Sequence, residues 1–145
     1  MRNYVPCWDK IGISKERYLE LLYFCRQYRR WKHEAAQLLG IQSHAGDGQP
    51  HGPGVTDPTA RAAEKRAALT EKIALVERCA QSIGSGEWAS PLIINICEGT
   101  PYALIDPVEL PTANRSAFFR ARREFFIRLN GMKDAKEGEV NGIST

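Results

Sequence analysis

The chain has no long apolar run, no paired cysteines and few histidines, and each shortage removes a class of protein. No stretch approaches the roughly 18 apolar residues of a spanning helix, and the opening MRNYVPCWDK lacks the apolar core of a signal peptide. A cytoplasmic protein with no membrane partner is the expectation. The cysteines stand at 7, 25, 79 and 97, with no CxxC pair and no histidine at zinc-ligand spacing. Cys25 lies in an apolar stripe and Cys97 beside Ile96, so both read as small reduced core residues. His44, Asp47 and His51 fall in a glycine-rich stretch with none of the rigidity of a metal site. There is also no phosphate-cradling glycine loop, no HExxH, no nucleophile elbow and no cluster of carboxylates among apolar residues. Glu98, Asp106 and Glu109 occupy cap and turn positions, where acids have structural reasons to occur. The expectation is a non-enzyme with no catalytic residues, no cofactor and no metal.

What is present is helical. With 145 residues, 43% hydrophobic and 26% charged, the chain has room for one or two small domains with a modest core. Ser14 is a candidate cap for a helix from about Lys15 to Leu39, closed by Gly40, with Tyr18, Leu21, Leu22, Cys25, Tyr28, Ala35 and Leu39 at helical spacing. Asp57 and Pro58 open a second helix that runs to about Ile83, before the Gly84-Ser85-Gly86 break. Leu69, Ile73, Val76, Ala80 and Ile83 form a narrow seam of the coiled-coil kind on it. The two helices are of nearly equal length, about 37 to 39 Å at 1.5 Å per residue, so antiparallel pairing would bury both stripes. Residues 41–57 between them are rich in glycine and proline and read as a flexible loop. Tyr23, Phe24, Tyr28 and Trp31 spread over more than one side of the first helix, so a third surface must cover some of them.

The most informative stretch is Thr112 to Gly131, TANRSAFFRARREFFIRLNG, in which five arginines face a single glutamate for a net charge of +4, against +3 for the whole chain. With Thr112 or Asn114 as cap and Gly131 as stop, Phe118, Phe119, Phe125, Phe126 and Leu129 share one side. Ser116, Ala117, Arg120, Arg123, Glu124 and Ile127 share the other. Small side chains near the helix start, followed by arginines a turn later, suit the major groove, because the backbone can approach while guanidinium forks reach phosphates or guanine edges. An amphipathic surface helix with merely solvated arginines fits the same charge pattern. What precedes the helix favours the first. Ser90-Pro91 opens a short helix closed by Gly99, Thr100-Pro101 repeats the start signal, and Pro107 and Pro111 bracket a connector. The order is that of a helix-turn-helix with an extended turn.

The segments SKERYLELLYFCRQYRRWK and SAFFRARREFFIRLNG resemble small prophage-encoded proteins of Gram-positive bacteria, of the RinA and ArpU type of phage transcriptional regulator. The C-terminal part of those regulators is similar to the promoter-reading region four of sigma factors. The resemblance covers residues 14–131 and implies a recognition helix over 113–130 with a supporting helix over 101–105. The expected architecture is therefore all-α: a long N-terminal antiparallel helical hairpin over 1–86, a small helix-turn-helix-like domain over 87–131 and a flexible tail over 132–145. The expected function is transcription regulation through double-stranded DNA. Arg115, Arg120, Arg123 and Arg128 would meet phosphates, and Ser116 and Arg120 would touch base edges. Arg122 points toward the apolar side, within reach of Glu98 or Glu109. RNA polymerase and a second copy of the chain, as a homodimer, are the further partners of this reading. Its rival is a helical phage assembly or packaging protein that acts through protein contacts.

Overall fold

The computed structural model describes residues 12–44 and 58–142, and among them the fold is all-α, with no strand. Helix α1 spans Lys15–Cys25 and starts as its sequence demands, with the Ser14 hydroxyl accepting from the Arg17 amide at 3.1 Å. The continuous helix expected to run on to Leu39 is interrupted at residues 26–27, and α2 spans Tyr28–His44, through Gly40. Neither glycine nor proline marks the break. There the Gln27 amide turns tightly back to the Phe24 carbonyl at 3.3 Å, and Arg26 Nε donates to the Ile96 carbonyl at 2.7 Å, a partner 70 residues away.

Helix α3, Pro58–Gln81, has proline in its first turn, where the missing amide costs nothing. Its proposed cap, Asp57, lies outside the described residues, as do Asp47, His51 and most of the 41–57 segment. Tyr28 donates to Glu77 at 2.8 Å, and the Lys72 ammonium lies 5.7 Å above the Trp31 ring, so α2 and α3 run in opposite directions side by side. The expected seam is wider than drawn. Val76, Ala80 and Ile83 are buried and Leu69 and Ile73 half-buried, but Leu75 and Cys79 are buried as well. The cause is a second neighbour on the other flank of α3, the C-terminal helix α5, Arg115–Gly142.

Helix α4, Ala89–Leu92, widens into a π turn over Ile93–Cys97, in which the Glu98 amide reaches back to the Ile93 carbonyl at 3.2 Å. Ser90 does not cap this helix. Trp88 holds the cap position, and the Ser90 hydroxyl donates to Glu109 at 2.6 Å, tying the helix to the connector. Gly99 ends the segment at φ +78°, in the left-handed region that glycine adopts without strain. Residues 101–105, expected as a supporting helix, hold only a three-residue 3₁₀ turn, Tyr102–Leu104, followed by a second at Pro107–Glu109. Too few residues separate Pro101 from Pro107 for a full helix to close.

Helix α5, Arg115–Gly142, begins where the Asn114 side chain accepts from the amides of Ser116 at 2.9 Å and Ala117 at 3.3 Å. It does not stop at Gly131. Beyond that glycine, Met132 packs on the core, the Lys133 ammonium lies 4.0 Å above the Phe24 ring, and Asp134 accepts from Arg17 at 2.8 Å. These contacts with α1 carry the helix past a residue that costs about 1 kcal/mol in a helix interior. Cys79 Sγ donates to the Phe125 carbonyl at 3.3 Å, and Lys136 pairs with Glu71 at 3.7 Å, so α5 is antiparallel to α3. One cluster of buried residues draws on all of these elements, from Ile13 and Trp31 to Phe118, Phe126 and Leu129.

Candidate nucleic-acid interface

The five arginines of the 112–131 segment divide into three environments. Arg115, Arg120 and Arg123, with Ser116 and Phe119, line one shallow depression of about 500 Å³ on the outer face of α5. Helical spacing brings them together, since positions i, i+1, i+4, i+5 and i+8 span a single side of about two turns. Arg120 is exposed and Arg123 half-buried, and neither makes a hydrogen bond or ion pair with another described residue. Two guanidinium groups are thus left with their donors facing solvent.

Arg115 is held differently. Its Cζ lies 4.9 Å from the centre of the Phe119 ring and 5.3 Å from that of Tyr102. Tyr102 is fixed in turn by ring contacts with Phe118 at 4.9 Å and Phe119 at 5.8 Å. Contact with two rings restrains the guanidinium, which lowers the ordering cost of a bidentate contact. The Arg115 to Phe119 spacing is legible as an i, i+4 pair, but Phe119 read as core and Tyr102 as part of a supporting helix, so the aromatic bed went unseen in the sequence.

Arg128 is not part of this cluster. It donates to Glu124 at 2.7 and 3.0 Å and to the Ser82 carbonyl at 2.8 Å, fastening α5 to the end of α3. Arg122 faces the interior, 7% exposed. Its Nε donates to Asn95 Oδ1 at 2.8 Å, and its Cζ lies over the rings of Phe126 at 5.0 Å and Tyr18 at 5.7 Å. Asn95 also donates to the Thr100 carbonyl at 2.9 Å, so one amide couples the π turn to α5. Glu98 pairs with Arg29 at 3.5 Å and Glu109 accepts from Ser90, so each of the acids proposed for Arg122 has a partner of its own.

Two of the buried cysteines are held as thiols. Cys25 is raised well above the ordinary thiol value, first by its hydrogen bond with Cys97 and then by burial, and burial pushes Cys79 up to about 12. Protonated, buried thiols of this kind are unreactive. Among the described residues no group of three or more His, Cys, Asp or Glu could hold a metal ion, and no helix is long and apolar enough to cross a membrane. No family model, characterised protein or solved structure matches the chain.

Proposed function

We propose that this chain is a phage-type transcription regulator that binds double-stranded DNA through the outer face of α5. The observation that carries the reading is the pair of uncommitted arginines, Arg120 and Arg123, beside the stacked Arg115 on one helix face. Arg120 and Arg123 neutralise phosphates. Arg115, held against Tyr102 and Phe119, reads a base edge, and Ser116 beside it is small enough to let the backbone approach. In this reading α4 with its π turn is the supporting element of a helix-turn-helix, joined to α5 through Asn95 and Arg122 and through the Trp88 and Phe118 rings, 6.2 Å apart. The connector, residues 98–114, is longer than the usual turn and is shaped by its two 3₁₀ segments.

Fluorescence anisotropy with labelled duplexes tests this, comparing random DNA with fragments from the neighbouring genome at two salt concentrations. A preference for one fragment that survives added salt is the expected result, since phosphate contacts alone weaken together as salt rises. No binding at low salt, with a particle mass that grows with concentration, would favour an assembly protein instead. That second reading draws on exposed apolar side chains, Tyr23 at 63%, Leu104 at 72% and Val108 at 88%.

A further inference from the structure

A second surface lies away from the arginine face, in the groove between the antiparallel helices α3 and α5 where α1 closes one end. Its cavity measures about 400 Å³, with Phe24, Ala68 and Leu75 as apolar floor and Lys72, Lys133 and Lys136 as rim. Two acids also line it, and both are engaged. Glu71 pairs with Lys136 at 3.7 Å, and Glu137 lies 3.8 Å from Arg17. Lys72 and Lys133 have no acidic partner among the described residues. Each is instead held above an aromatic ring, Lys72 over Trp31 at 5.7 Å and Lys133 over Phe24 at 4.0 Å. An ammonium against a ring is partly stripped of water and still unneutralised, so it favours an incoming carboxylate.

We infer that this groove binds an acidic amphipathic helix of a partner protein, its apolar side chains on Phe24, Ala68 and Leu75 and its carboxylates on Lys72 and Lys133. A groove between two antiparallel helices is open along its length and matches the ridge of a third helix, and its volume holds a few aliphatic side chains. The charge of the two free ammoniums selects the sign of the partner. The inference does not depend on the DNA reading, because the groove residues on α5, Lys133, Lys136 and Glu137, lie ten or more residues, about 15 Å, beyond Arg123 along the helix.

The test uses the full chain and a fluorescein-labelled 20-residue helical peptide with leucine at i, i+4, i+7 and i+11 flanked by glutamates, beside versions in which the glutamates are replaced by glutamine or by lysine. The glutamate peptide should bind at least about tenfold more tightly than either of the others. Lys72→Glu with Lys133→Glu should remove that preference, and Ala68→Trp, which fills the groove without altering charge, should remove binding while circular dichroism stays unchanged. Equal binding of all three peptides, no binding by any of them, or full binding retained by the Ala68→Trp chain would each overturn the proposal.

Discussion

Arg122 and Arg123 are neighbours in the chain and opposites in the fold. The first is buried, hydrogen-bonded to Asn95 and stacked over Phe126 and Tyr18; the second stands on the outer face with its donors uncommitted. One residue rotates position by about 100° on a helix, enough to carry identical chemistry from the core to the solvent. The positive charge of this segment is therefore not one property. Part of it holds the protein together, and part of it is free to meet an anion.

Breaking the inner side should have the largest effect. Arg122→Ala strands the Asn95 oxygen and opens space beneath two rings, and should lower unfolding stability by about 2–4 kcal/mol in urea denaturation. A loss below about 0.5 kcal/mol would mean that the buried arginine contributes no more than a surface one.

Alkali tests the same interior. Cys25 and Cys79 titrate higher in the folded protein than in the unfolded chain, so their contribution is complete below the ordinary thiol value of 9.0. It is lost as pH climbs from there toward about 12, where Cys79 ionises in place. The melting temperature should hold level up to about pH 8.5 and then fall, whereas a rise through this range would contradict the burial of these thiols. Gly99→Ala sharpens the comparison from the connector side. The residue is at φ +78°, and an added Cβ would come within 2.9 Å of Arg26 Nη1, the side chain that closes the α1 break. A loss of about 1–2 kcal/mol is expected from thermal melts. The smallest effect belongs to the outer side, where Arg120→Ala with Arg123→Ala should change stability by no more than about 0.5 kcal/mol.

Helical periodicity made much of this division legible. It put Phe118, Phe125, Phe126 and Leu129 inside, Arg120 and Arg123 outside and Arg122 on the apolar side, and local chemistry marked Ser14 as a cap and Asn114 as one of two candidates with Thr112. The features that escaped it depend on residues far apart in the chain. The break at residues 26–27 is held by a carbonyl 70 positions away, and α5 passes Gly131 because Phe24 and Arg17 receive its later turns. Tyr102 completes the bed of Arg115 from a turn that reads as a helix start, since proline signals the start of a helix and of a 3₁₀ turn alike. The partner of Arg122 was misjudged for a similar reason. A search for opposite charge passes over an amide, and Asn95 reaches the guanidinium only because the π turn presents it there.

In the proposed reading the outer arginines, and not the inner one, are the DNA contacts. The direct measurement is the salt dependence of duplex binding by the unmodified chain and by the Arg120→Ala, Arg123→Ala double variant, with circular dichroism confirming that both are folded. The double variant should bind far more weakly, and the slope of log K against log salt should fall by about 0.9 for each arginine removed. Equal affinity and an equal slope in a folded double variant would contradict it.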